Sequence, residues 1–280
     1  MGCGMFLFAA VDAQAKLLTE NFHPIQITWI RQFGLLLGVA VFLALRGVNV
    51  LKTKKPGLQI LRGTIAGLSP TLFVTAVAYV ALADAVAVSF VAPFIVTLMA
   101  GLILREPVGW RRWLAISIGF GGALIVIRPG LGVMHPAVGL VFLAAALFAV
   151  RQIISRHITQ FDSVGTTIAY TAIASTAVLT IPLPFVWVWP DNARDIALLA
   201  SVAVMASFGE LLVIKALEVA QAVAIAPIQY TLLVWGTLYG IVLFGDFPDA
   251  WTSLGAIIIV ATGLYTLQRE RIAEGKRNAP

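Results

Sequence analysis

Apolar positions in this chain fall in long unbroken runs rather than in narrow stripes. Ten runs are separated by short polar breaks, at residues 1–18, 25–45, 58–80, 83–104, 110–127, 136–156, 164–188, 195–215, 219–244 and 250–267. Each is about 18–26 residues long, enough for a helix rising 1.5 Å per residue to cross ~30 Å of hydrocarbon. The runs do not alternate apolar and polar residues as the strands of a membrane barrel do. The connections are short, and no soluble domain fits between any two runs. The pattern predicts an all-α integral membrane protein with ten transmembrane helices. Ala13-Gln14-Ala15 in the first run resembles a leader cleavage site, but the run lacks a basic start and Asp12 interrupts it. It is read as the first membrane helix.

The second half of the chain echoes the first. At an offset of 140, Thr97 falls on Thr237, Leu98 on Leu238, Glu106 on Asp246, Leu114 on Leu254, Ile118 on Ile258 and Leu124 on Leu264. Ala9 likewise falls on Ala149, Lys16 on Arg156 and Thr19 on Thr159. The offset is half of 280 residues, which predicts one five-helix copy over 1–135 and a second over 136–280, the latter with a short basic tail. Five helices is an odd number, so the second copy enters the membrane upside down. Two inverted copies provide nearly equivalent outward and inward conformations and a binding site near the midplane between them.

Composition agrees with a membrane interior. Hydrophobic residues make up 60% of the chain and charged residues 11%, against about half and a quarter in soluble domains. The net charge of +6 is spread over the breaks between runs rather than gathered in one patch, which argues against a nucleic-acid partner. With both termini in the cytoplasm, 15 of the 19 Lys and Arg residues fall on the cytoplasmic side. That orientation is therefore expected, in a cell (inner) membrane. A single cysteine, Cys3, excludes an intrachain disulfide and a cysteine-cluster metal site. The opening Met1-Gly2-Cys3 lacks the Ser or Thr at position 6 that an acylation signal requires. His23, His135 and His157 sit at run ends without metal-ligand spacing, and there is no Walker loop or serine-nucleophile motif. No metal, cofactor or enzymatic activity is expected.

One motif pair carries a family resemblance. Ala81-Leu82-Ala83-Asp84-Ala85-Val86-Ala87 leads to Pro93 and then to Arg105-Glu106. Ala216-Leu217-Glu218-Val219-Ala220-Gln221-Ala222 leads to Pro227-Ile228-Gln229-Tyr230 and then to Gly245-Asp246. Both resemble the EamA repeat of the drug/metabolite transporter superfamily, in which an Ala-rich helix start precedes a Pro-containing helix and an acidic corner. The corners depart from the usual Gly-Glu, as Arg105-Glu106 and Gly245-Asp246. Within the superfamily the chain is most similar to YddG-type exporters. That resemblance implies a secondary transporter exporting aromatic and other hydrophobic amino acids by alternating access. Export of organic cations coupled to protons is the alternative, and a non-transporting membrane scaffold a remote one. Ten helices suffice for a transport path in a monomer.

An ionisable group inside a membrane helix costs ~2.5–3.5 kcal/mol at mid-helix on insertion scales, so each is a candidate for function. Asp12, Arg151 and Glu210 lie inside runs. An acid would accept an ammonium group and Arg151 would meet a carboxylate. The plainer alternatives are a Lys16 partner for Asp12 and a snorkelling Arg151. Arg31 also lies inside a run, where snorkelling outward or pairing with a helix dipole is the favoured reading. Tyr79, Gln229, Tyr230, Trp235 and Tyr239 are candidate walls for an aromatic cargo. Pro70, Pro93 and Pro227 are candidate kinks, and Pro70 stands 140 positions before Glu210. Gly34/Gly38, Gly63/Gly67 and Gly236/Gly240 predict close helix contacts.

Overall fold

The computed structural model describes residues 1–102, 110–127, 135–158, 161–219 and 228–277. Among them the secondary structure is helical. In chain order the helices are α1 (Gly2–Leu18), α2 (Pro24–Arg46), α3 (Pro56–Val77), α4 (Leu82–Ser89), α5 (Ala92–Leu102) and α6 (Trp110–Ile127). There follow α7 (Val138–Ile158), α8 (Val164–Thr180), α9 (Ala193–Val219), α10 (Thr231–Tyr239) and α11 (Ala250–Arg277). Five stretches are long and apolar enough to cross a membrane: Pro24–Arg46, Pro56–Val77, Leu82–Met99, Val138–Ile158 and Ala193–Val213. Trp113–Ile127, Val164–Thr180, Thr231–Phe244 and Ala250–Thr266 are shorter apolar helices.

Local chemistry sets the helix ends. Pro24 and Pro56 stand at first helical positions, where a missing N–H costs nothing. Ser163 caps α8 by accepting a hydrogen bond from the Thr166 N–H at 3.1 Å. Three of the predicted boundaries change. The run 83–104 is two helices, interrupted at Phe90 and Val91. Pro93 cannot donate to the Ser89 carbonyl four residues back, so α4 stops there and Pro93 becomes the second residue of α5 rather than a mid-helix kink. The run 164–188 is helical only to Thr180, because Pro182 and Pro184 end it in a single turn over Leu183–Phe185. The last run continues as helix to Arg277. Pro227, Arg105 and Glu106 lie outside the described residues.

The two halves of the chain interlock. α1 packs on α9 and α10, while α7 packs on α3, α4 and α5. α2 packs on α8 and α9, α3 on α7 and α8, α4 on α10, and α6 on α11. Two glycines allow close approaches between the halves. A Cβ on Gly34 of α2 would stand 2.6 Å from the Ala203 carbonyl oxygen of α9. One on Gly63 of α3 would stand 2.6 Å from the Ala174 Cβ of α8.

Apolar side chains cover the outside as well as the core, and several polar ones are buried. Leu37, Val41 and Leu45 of α2 and Val204, Phe208 and Leu211 of α9 are exposed. Gln26, Gln32, Gln59, Ser69, Thr171 and Ser175 are buried. Gln26 accepts from the Val188 N–H at 2.9 Å and donates to its carbonyl at 2.7 Å, which pins the segment after α8 to the start of α2. At the opposite end of α2, the Thr166 hydroxyl donates to the Val50 carbonyl at 2.8 Å.

Candidate functional site

Buried polar side chains of α1, α2, α3, α7, α8 and α9 converge on one cavity of ≈ 230 Å³. Its wall contains Asp12, Arg31, Arg151 and Glu210, with Gln32, Ser69 and Thr171 as neutral polar groups. Phe8, Leu35, Ala66, Pro70, Phe148, Ala206 and Leu232 complete it. Four pairs of wall residues stand 140 positions apart: Phe8 and Phe148, Arg31 and Thr171, Ala66 and Ala206, Pro70 and Glu210.

The charges are arranged in two groups. Arg31 Nη1 lies 3.7 Å from Asp12 Oδ1, and its guanidinium stands 5.7 Å from the centre of the Phe8 ring. The Arg151 guanidinium stands 4.9 Å from the centre of the Phe148 ring. Glu210 attracts Arg151. Lys16–Asp246 and Arg31–Asp12 are within ion-pair distance, and Arg151 and Glu210 form no such pair with each other. Arg151 and Glu210 are therefore a donor and an acceptor in the same wall, beyond ion-pair distance of one another.

Pro70 shapes the wall through a neighbour. Its ring nitrogen carries no proton for the Ala66 carbonyl, one turn back in α3. Gln32 of α2 supplies the missing bond, with Nε2 donating to the Ala66 oxygen at 3.0 Å. Gln32, Ala66 and Pro70 all line the cavity, so a carbonyl freed in one helix is satisfied by a side chain of another.

Of the candidate residues, Asp12, Arg151, Glu210 and Pro70 meet at this cavity. Arg31 joins them, facing Asp12 rather than snorkelling. Lys16 is not the partner of Asp12. It bonds Asp246 Oδ2 at 2.8 Å and the Val80 carbonyl at 3.3 Å, with its ammonium 4.6 Å from the centre of the Phe244 ring. The aromatic candidates lie elsewhere. Tyr79 is exposed and stacks on His135 at 5.0 Å. Tyr230 is buried and stacks on Phe90, at the α4–α5 break, at 5.0 Å. Trp235 and Tyr239 of α10 both contact Phe6 of α1, at 5.1 and 5.8 Å between ring centres. Gln229 is exposed. Phe8, Gln32, Phe148 and Thr171 carried no charge to mark them in the sequence; the match of Phe8 with Phe148 at the repeat offset was the available signal.

Comparison with known proteins gives a consistent picture. Residues 2–128 match the profile of the EamA-like transporter family. A protein of Rickettsia bellii named as an S-adenosylmethionine uptake transporter is 30% identical, over 99% of this chain and 97% of that one. A riboflavin transporter of Vibrio cholerae is 30% identical, over 94% of this chain and 90% of its own length. A pseudopaline exporter of Pseudomonas aeruginosa is 27% identical, over 91% and 90%. A solved structure at 17% identity superposes with a TM-score of 0.60, covering 96% of this chain and 98% of that one, and bears on the fold alone.

Proposed function

The chain belongs to the EamA-like transporter family, and on that premise we propose that it carries a small metabolite with an amino-acid head group through the cavity between its two halves. One observation carries the choice of cargo. Arg151 and Glu210 stand in the same wall without closing an ion pair. A zwitterion bridges such a gap, its carboxylate on the guanidinium and its ammonium on the carboxylate. Phe8 and Phe148 offer flat apolar surface to the rest of the molecule. Two arginines in the wall disfavour the alternative cargo, a purely cationic drug.

Aromatic and hydrophobic amino acids fit this description. So does S-adenosylmethionine, the cargo in the name of the Rickettsia relatives, which carries the same head group. The cavity of ≈ 230 Å³ lies below the ~300–1,000 Å³ of pockets for drug-sized ligands. It takes an amino acid as it stands, and a nucleoside-bearing cargo needs the walls to part.

Alternating access between inverted copies is the proposed mechanism. Packing supports it. Exchanging each helix for its counterpart in the other half turns α1 on α9 into α7 on α3, and α2 on α9 into α8 on α3. The close contact of Gly34 with Ala203 becomes that of Ala174 with Gly63, each residue moved by 140. A ten-helix, two-copy membrane domain with copies over 1–135 and 136–280 accounts for these coincidences, and the distribution of Lys and Arg supports a cytoplasmic side for both termini.

The test is counterflow in proteoliposomes, with labelled tryptophan, phenylalanine, S-adenosylmethionine and a quaternary ammonium dye, with and without a pH gradient. Saturable flux of an amino-acid-type cargo, lost in Glu210→Gln and reduced in Asp12→Asn, is expected. Flux of the dye alone would replace this reading with the cation exporter.

A further inference from the structure

Three arginines and two carboxylates surround the cavity, and one arginine is in excess. Arg62 of α3 is not in the wall itself, but it bonds a wall residue, its Nη1 donating to the Thr171 hydroxyl. Its Nε donates to the Ser155 Oγ at 2.6 Å, and that hydroxyl donates to the Arg151 carbonyl at 2.7 Å. Arg62 is thus fastened beside Arg151 by neutral groups, and the two like charges repel. Among the described residues no carboxylate lies within ion-pair distance of either. Arg31 and Asp12 balance one another at 3.7 Å. Of the two carboxylates in the wall, Glu210 is the one whose charge bears on both Arg62 and Arg151. A surplus cation inside a membrane protein is expensive unless something neutralises it. A zwitterionic head group adds no net charge and leaves the surplus in place.

We propose that the Arg62, Arg151 and Thr171 end of the cavity is an anion subsite, and that the preferred cargo carries an acidic group beyond the carboxylate of its amino-acid head. The inference rests on the head-group reading above and sharpens it to net-anionic amino-acid derivatives. Arg62 is the specificity residue. The head carboxylate and the second acidic group share the N–H edges of the Arg151 guanidinium; the Thr171 hydroxyl, whose proton goes to the Thr167 carbonyl at 2.6 Å, holds Arg62 in place, and the charge of Arg62 behind them sets the preference. The offset of 140 places Val202 opposite Arg62 in the other half, so the subsite exists at one end of the cavity only and cargo binds with a defined polarity.

The experiment measures binding to the full chain in detergent, by thermal stabilisation. The probes are phenylalanine, 4-carboxyphenylalanine and 4-(aminomethyl)phenylalanine, which share one body and differ in charge. Each is run in chloride and in gluconate buffer. The expected order is anionic over neutral over cationic, with at least about a tenfold gap between the first two, as one additional charge-assisted contact provides. Arg62→Gln is expected to collapse that gap while phenylalanine still binds, and Arg62→Lys, which keeps the charge, to retain it. Equal binding of the two, or a gap that survives Arg62→Gln, overturns the subsite and leaves the head-group reading intact. Phenylalanine binding that is lost in gluconate assigns the compensating charge to a free inorganic anion and overturns the cargo assignment. Binding of no amino acid by the wild type overturns the head-group reading and the subsite with it.

Discussion

Asp12 is paired inside the protein with Arg31, 3.7 Å away. Removing one partner of such a pair leaves the other desolvated and uncompensated. Arg31→Gln is therefore expected to lower thermal stability, and Asp12→Asn in the same chain to restore part of it. A double-mutant cycle read by thermal melting should give a coupling of about 0.5–3 kcal/mol; additive effects would show that the two side chains do not act as a pair. The sequence revealed the charges but not their partners. A carboxylate or guanidinium inside an apolar run stands out by its cost alone, which is why Asp12, Arg151 and Glu210 were legible. Which face of a helix a residue occupies depends on neighbours far along the chain. Lys16, four residues from Asp12, pairs instead with Asp246, 230 positions away, and Arg31 turns inward to take its place. Aromatic residues gave no such contrast. Tyr79, Trp235 and Tyr239 resemble any interfacial or packing aromatic, whereas Phe8 and Phe148 were hidden among sixteen phenylalanines.

At the level of elements, prolines and loop clasps decide how the helices are joined. Pro70 leaves the Ala66 carbonyl to Gln32. Pro70→Ala supplies the missing N–H, so α3 can close its own bond. The substitution is expected to raise the melting temperature by a few degrees, since about 1 kcal/mol corresponds to ~2–4 °C in a chain of ~150–250 residues, and to slow flux by changing the wall. An unaltered rate would separate Pro70 from transport. A second device joins the two halves outside the helices. The Asp162 carboxylate, ahead of α8, accepts from the Thr53 hydroxyl, from Gln59 Nε2 at 2.8 Å and from the Lys54 N–H at 3.4 Å. Desolvation opposes the charge, but these bonds and the Lys54 ammonium outweigh it and hold the carboxyl below its usual range. A depressed value stabilises the fold above the ordinary aspartate pKa, and that contribution is lost as pH falls through the folded value. Exchange protection of the Lys54 and Lys55 amides should therefore persist to below about pH 3.9 and then fall. In Asp162→Asn, protection at neutral pH should already be reduced; full protection there would dismiss the clasp. Only the existence of most elements was legible. The breaks at Phe90 and Thr180 depended on where each proline fell within its helix.

For the molecule as a whole, the two halves agree at wall positions and differ in the charges. Phe8 and Phe148 match, as do Ala66 and Ala206, whereas Arg31 faces Thr171 in the alignment, Glu210 faces Pro70 and Arg62 faces Val202. On the proposed two-copy reading, matched wall positions give the cavity its shape, and unmatched charges give it a binding polarity. The offset of 140 was visible in the sequence because both copies keep their packing residues. The convergence of seven helices on one cavity was not, because it requires the interlocking of α1, α2 and α3 with α7, α8, α9 and α10. The account stands or falls on whether cargo passes through that cavity. The direct measurement is thiol blocking in proteoliposomes, with Cys3→Ser removing the single native thiol and Ala206→Cys placing a new one in the wall. A bulky thiol reagent is predicted to abolish counterflow, and saturating cargo to slow the labelling. Complete labelling with undiminished flux, and no protection by cargo, would contradict a transport path through this site.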